Sequence, residues 1–333
     1  MQIKSLEMKK NIVYMLFILC LVSCFSFREK QSVIKSSIHE TTIVIKNRID
    51  DLKTTQEVIE FAKSIHPKFS RDGYGTLLIK EKNIILKDLN NCSLFKEWDV
   101  ENWKKIDLNN DGRTDLLFTS YWYTSYSQYA IIAKNKNDFD LFLLSSDISN
   151  NCKCIKPIII DNKNELMVNN FKTDGENINN EKATYFLDTL TYKYDSFIER
   201  DTRKKVDYDI DSIKFIITNR FELELDNRGT AIYKSLKNID MNDRFTNMYR
   251  GKSSKVIPIE KLNDLKGLLE YIRVKDLSNE YSINGYDFDE IYLKIKFHDG
   301  SFKEIKDYGF QGTFGLNSVY SKLIKIATET DWK

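Results

Sequence analysis

Asp107-Leu108-Asn109-Asn110-Asp111-Gly112-Arg113-Thr114-Asp115 sets an oxygen-bearing side chain at every second position and lies between two apolar runs. A hard divalent cation such as Ca²⁺ takes six to eight oxygens at about 2.3–2.6 Å. Asp107, Asn109 and Asp111 supply that alternation, and Gly112 permits the sharp turn because it has no Cβ to clash at positive φ. The carbonyl of Arg113 and the carboxylate of Asp115 complete a candidate ligand set for a structural Ca²⁺. The flanks, Trp103–Ile106 and Leu116–Tyr121, are short, apolar or aromatic, and strand-like. The loop is therefore expected to join two strands, which places it in a β domain. The competing reading is a metal-free Asp/Asn-Gly hairpin turn.

The opening of the stretch fits the EF-hand pattern, but the twelfth position, where an EF-hand needs Glu, is Phe118. It resembles instead the D-x-N-x-D-G-x-x-D loop of FG-GAP/VCBS repeats, over about a dozen residues including Leu116-Leu117-Phe118. That resemblance implies a strand–loop–strand calcium site of the kind found in integrin-type β-propellers. Propellers repeat the loop in each blade. A second copy is absent from the sequence, so a full propeller is not expected.

Working outward to the N-terminus, Met8-Lys9-Lys10 precedes an apolar run over 11–23 that ends in Leu21-Val22-Ser23-Cys24. The run is too short to span a bilayer comfortably and has the layout of a signal peptide. It resembles a bacterial lipoprotein signal, which implies acylation of Cys24 and cleavage before it. The expectation is a signal peptide over 1–23, a tether over 24–50, and anchoring to the outer membrane through acylated Cys24, with the membrane face open. The chain has 51 Lys and Arg against 49 Asp and Glu. Removing 1–23 takes away Lys4, Lys9, Lys10 and Glu7 and leaves 48 of each sign. No basic stripe remains, which argues against a nucleic-acid partner.

The rest reads as a β-rich domain over 51–205 and an α+β domain over 206–333. Thr54-x-x-Glu57 is a capping box opening a helix that Pro67 stops. Strands are expected at Thr76–Lys80, Asn83–Lys87, on either side of the loop, at Gln128–Ala133 and Phe139–Ser145, and at Lys156–Ile160, Glu165–Val168, Ala183–Asp188 and Thr191–Ile198. The fold class is α+β: a mainly antiparallel, partial-propeller-like sheet, then a two-layer domain. The latter has strands at Ser212–Thr218, Arg220–Leu225, Thr230–Lys234, Ile291–His298 and Phe302–Ile305, one helix opened by Pro258, and a final helix from Asn317. The charged run Glu199–Asp207 marks the boundary. The layout from Ile213 to Tyr233, the Pro258 helix, Asp307-Tyr308-Gly309 and Trp332 resemble domain-of-unknown-function family 6438. Its members usually carry Cys-x-x-Cys-Pro near the first strand. Here the place reads Thr218-Asn219-Arg220-Phe221, so chemistry from those cysteines is absent.

An exported chain can form disulfides. Cys92 can pair with Cys152 or Cys154, leaving one thiol. Tyr121, Trp122 and Tyr123 form a candidate binding surface, because aromatic shelves grip sugars and proteins, although packing is the commoner use. Asp287, Asp289 and Glu290 cluster three carboxylates where a glycosidase needs two. No recognised catalytic motif is present. The favoured reading is a non-catalytic, membrane-anchored lipoprotein, braced by calcium, that binds a protein or glycan or serves structurally. The alternatives are an envelope hydrolase using Asp287, Asp289 and Glu290, or an inhibitor of a periplasmic or host enzyme.

Overall fold

The computed structural model describes residues 46–70, 76–122, 125–172, 184–236, 249–283 and 287–332, except for the side chains of Trp122 and Lys172. Cys24, Thr41–Ile45, Tyr123, Asn284-Gly285 and Tyr286 lie outside them. Val44–Lys333 forms one compact unit. No described helix is long and apolar enough to cross a membrane.

The architecture is mostly antiparallel β with a few helices, an α+β arrangement, and among the described residues no closed barrel or propeller forms. Two four-stranded meanders come first. One is β1 (Trp103–Ile106), β2 (Asp115–Trp122), β3 (Ser125–Ala133) and β4 (Phe139–Ser145). The other is β5 (Ile155–Ile160), β6 (Lys163–Lys172), β7 (Thr184–Lys193) and β8 (Ser196–Glu199). Helix α1 (Thr55–Ile65) covers one face of the first sheet and packs Val58, Phe61 and Ala62 near Phe118, Tyr129 and Ile131. The opposite face, with Leu117, Ala130 and Ile132, meets Ile155, Leu166, Val168 and Phe197 of the second sheet. With both faces covered, β3 is buried at nearly every position after Tyr126.

The capping box of α1 forms as expected: Thr54 Oγ1 accepts from Glu57 N–H, and Glu57 accepts from Thr54 N–H at 2.8 Å. Asn83–Lys87, expected as a strand, is instead helix α2 (Lys82–Asp88). A short apolar run cannot be assigned by periodicity alone. Here Ile85 and Leu89, one helical turn apart, are the buried pair. Thr76–Lys80 makes only an isolated bridge, Leu78 to Tyr121. Two further short helices, α3 (Ser93–Glu97) and α4 (Ile148–Asn151), went unpredicted. The expected strand Thr191–Ile198 is really the hairpin from β7 to β8, turning at Tyr194-Asp195, both at φ +54°.

The third sheet has the order β12-β11-β10-β9-β14-β15-β13. Its strands are β9 (Ile210–Ile217), β10 (Phe221–Asp226), β11 (Thr230–Ser235), β12 (Lys252–Val256), β13 (Glu280–Ser282), β14 (Glu290–Phe297) and β15 (Phe302–Tyr308). Only the β13–β15 edge pairing is parallel. Burial alternates strictly along β10, β14 and β15. One face is thus apolar, and α5 (Ile259–Tyr271) and α6 (Phe314–Glu329) cover it. The final helix starts at Phe314 rather than Asn317, because Thr313 Oγ1 caps it by accepting from Leu316 N–H at 3.1 Å.

Candidate functional site

The loop between β1 and β2 is held by its own acidic and amide side chains. Asp107 accepts from Asp111 N–H at 3.1 Å and from Gly112 N–H at 2.8 Å. Asn109 Oδ1 also accepts from Asp111 N–H, at 3.2 Å, while its amide donates to Asp111 Oδ2 at 3.0 Å. Asp111 Oδ1 accepts from Arg113 N–H at 2.8 Å, and Oδ2 takes the Arg113 guanidinium at 2.6 Å. Gly112 sits at φ +84°, with open space where a Cβ would go.

Asp115 is different. It is fully buried at the start of β2. Its Oδ2 accepts from Leu108 and Asn109 N–H at 2.8 and 3.3 Å, and its Oδ1 from Ala133 N–H at 2.8 Å. Burial pushes its carboxyl up to about 7; the amides pull against this, and the nearby charges of Asp107 and Asp111 add to it. Sequence reasoning treated Asp115 as one ligand among several. The structure gives it the further job of closing the loop onto β3.

The loop also joins distant segments. Asn164, in the β5–β6 hairpin, donates its N–H to Asn110 Oδ1 at 2.7 Å and its side-chain amide to the Asp107 carbonyl at 2.7 Å. On the other side Asn47 donates to the Thr114 carbonyl at 2.8 Å, and Thr114 Oγ1 donates to Asp50 at 2.6 Å. Among the described residues no three His, Cys, Asp or Glu side chains are gathered as a metal site by themselves. The available donors are nevertheless all hard oxygens: Asp107, Asn109, Asp111, the Arg113 carbonyl and Asp115. Their chemistry fits Ca²⁺, and a divalent cation would offset both the burial of the Asp115 charge and the lesser repulsion from Asp107 and Asp111. The Arg113 guanidinium now satisfies Asp111, so a metal would compete with it.

Cys92 pairs with Cys152, and Cys154 remains a buried free thiol. Burial pushes that thiol up to about 12. Thiolate is the attacking form in disulfide exchange, so Cys154 is held inert beside the disulfide. Around it α2, α3 and Tyr126 form a small core. Tyr121, expected as part of an exposed shelf, packs its ring 5.0 Å from Tyr126 beneath the Lys80 ammonium, 3.5 Å from its centroid. This is a packing role; the side chains of Trp122 and Tyr123 fall outside the described residues.

The acidic cluster does not converge. Asp287 is exposed at φ +63°. Asp289 accepts from Arg220 Nε at 2.7 Å. Glu290 pairs with Lys306 at 2.9 Å, which holds its carboxyl below the usual range. A glycosidase acid needs the opposite shift.

Sequence reasoning missed two features built by long-range contacts. Glu199, at the end of β8, accepts from Phe314 and Gly315 N–H at 2.6 and 2.8 Å and so clamps the first turn of α6. Between β4, the β7–β8 turn, α5 and α6 lies a cleft of about 520 Å³, with Phe142, Phe197 and Phe314 among its walls and both signs of charge at its rim.

Residues 219–327 match the model of a family described as a domain of unknown function, DUF6438. A DUF6438 domain is thus found at residues 219–327. The match begins in the turn before β10 and ends within α6, so β9, which pairs with both β10 and β14, belongs to the same sheet but precedes the match. No curated protein and no solved structure matches the chain. At the place read as lacking the family's cysteines, Arg220 forms its ion pair with Asp289 and Phe221 is buried in the core.

Proposed function

We propose that the chain is a non-catalytic, lipid-anchored envelope protein whose β domain is braced by Ca²⁺ and presents a binding surface to a protein or glycan. The observation that carries this reading is the position of the Asp107–Asp115 loop, whose hydrogen bonds reach Asn47, Asp50, β3 and the β5–β6 hairpin. A cation held by Asp107, Asn109, Asp111, the Arg113 carbonyl and Asp115 would fix all of these together. The two consecutive four-stranded meanders support the partial-propeller expectation at the level of local architecture. Anchoring rests on the signal and Cys24 pattern read from the sequence. A binding role draws on Tyr185 and Leu187, exposed apolar residues on one face of β7. Contiguous exposed apolar surface commonly marks an interaction site.

The test is thermal melting of the chain with calcium and with chelator, beside Asp111→Ala. Binding to the native state raises its stability by mass action, by about 2.7 kcal/mol at a hundredfold excess over Kd. The expected result is a calcium-dependent rise in Tm that the variant lacks. If calcium leaves the wild-type Tm unchanged, the loop is a plain turn and the braced-module reading fails.

A further inference from the structure

The charged run between β8 and β9 does not simply face solvent. Arg203, Lys204 and Lys205 meet Lys193 from the end of β7 and Arg273 from beyond α5, around a cavity of about 210 Å³. Two acids, Asp201 and Glu270, line the same space. Asp201 is taken by Arg203 through contacts of 2.7 and 2.9 Å, and Glu270 lies 3.4 Å from Lys205. Arg273 shares its guanidinium between Asp276, at 2.8 Å, and the Lys204 carbonyl, at 3.3 Å. Among the described residues the ammonium groups of Lys193 and Lys204 have no carboxylate partner. Burial pushes the Lys193 amine down, and the neighbouring Lys205 charge pushes it further the same way. Unrelieved positive charge is therefore concentrated in a concave site.

The walls are built to hold this arrangement. Tyr194 is a bulky residue at φ +54°, a sparsely populated conformation. Its ring is seated over Gly267, where an added Cβ would stand 3.1 Å from Tyr194 Cε1. Glycine inside a helix costs about 1 kcal/mol against alanine, and the close ring gives a structural reason for it here. Tyr271 lies beneath Lys193, whose ammonium is 4.2 Å from the ring centroid, and its hydroxyl accepts from Asp201 N–H at 3.0 Å. The connector is thus held against α5, and its cations are directed into one space.

We propose that this pocket binds a tetrahedral oxyanion, a phosphoryl or sulfuryl group, through Lys193, Lys204 and the edge of Arg273. Lining charges of five cations against two acids favour a doubly charged group over a lone carboxylate. The group can be free or carried on a lipid headgroup. The site is independent of the calcium loop.

The experiment titrates the full chain calorimetrically with inorganic phosphate and with sulfate at low salt. A parallel arm measures co-flotation with phosphatidylglycerol vesicles and with phosphatidylcholine vesicles. Lys193→Glu/Lys204→Glu is compared with Lys193→Arg/Lys204→Arg, each checked for an unchanged Tm. The expected result is binding that the Glu variant weakens about tenfold or more and the Arg variant retains. Binding of the free ions identifies a soluble oxyanion. Lysine-dependent flotation with phosphatidylglycerol alone identifies a headgroup. If wild type binds neither, or the Glu variant binds as wild type does, the proposal is overturned.

Discussion

Replacing Glu199 with alanine should loosen the junction between the meanders and the C-terminal layer. The carboxylate accepts two N–H groups of the first turn of α6 at 2.6 and 2.8 Å, and those donors have no partner within the helix. Hydrogen bonds to a charged group contribute roughly 1.5–3 kcal/mol each, and removing the buried charge returns part of its desolvation cost, so a net loss of about 3 kcal/mol is expected. In a chain of 333 residues that lowers Tm by about 4–5 °C. Urea unfolding followed by tryptophan fluorescence, at fixed calcium, measures the loss directly. Glu199→Gln adds a test of sign. Burial raises the Glu199 carboxyl above 4.5, against the pull of the two amides. Folding then binds a proton, so the proton-linked part of the stability is complete below the ordinary value and is lost as pH rises through the raised one, while the hydrogen bonds themselves remain. Glutamine mimics the protonated form at every pH, so the wild type should lose stability relative to Glu199→Gln as pH climbs through that window. A Glu199→Ala loss below about 0.5 kcal/mol would refute the clamp. A wild-type-minus-glutamine difference that does not change with pH would refute the dominance of burial.

Removing the Cys92–Cys152 disulfide, which spans 60 residues of sequence, should cost about 4 kcal/mol by the chain-entropy relation, measured by urea unfolding of Cys92→Ala/Cys152→Ala. Cys154 should resist alkylation in the native chain and react once it is denatured, which mass spectrometry reads directly. Gly315→Ala sets a Cβ 2.4 Å from Ile272 Cγ2 and should cost about 1–3 kcal/mol by overpacking. Gly112→Ala meets no atom but is forced to φ +84°, and should cost about 1 kcal/mol, as equilibrium unfolding would show. Lys68 lies over Phe69 and Tyr129, and burial lowers its amine to about 8. The folded chain therefore binds fewer protons than the unfolded chain between about 8 and 10.5, and stability should rise with pH there relative to Lys68→Met in parallel melts.

What could be read from the sequence is what neighbouring residues decide. The Thr54–Glu57 box and the strands expected at Arg220–Leu225 and Ile291–His298 are local patterns, and each is found within a residue of where it was expected. The β7–β8 hairpin was hidden because its turn uses Tyr194 and Asp195, where such turns usually carry Asn and Gly. Tyr194 tolerates that conformation because its ring is seated against Gly267, far away in sequence. Helix α2 was hidden by an apolar run too short to show a period. The Asp107–Asp115 pattern was visible, but the partners of Asp115 and Asn110 were not, since β3 and Asn164 are brought to them by the fold. Lys193, Lys204 and Arg273 likewise become neighbours only when α5 packs against the connector.

One solution recurs at three points of this chain. Asp115, Glu199 and Asp307 are carboxylates directed at backbone N–H groups, and burial raises the pKa of each. Asp307 accepts from Gln311 and Gly312 N–H at 2.7 and 2.8 Å, in the turn that leads to α6. Each therefore fixes a segment at the start or end of an element, and each is costly to alter. Lys193 and Lys204 of the oxyanion pocket hold no backbone N–H groups in this way. That contrast separates the two proposed activities in practice. Disabling the calcium loop should lower stability and binding together, because the loop holds several segments in place. Reversing Lys193 and Lys204 should remove oxyanion binding while the melting curve stays where it was.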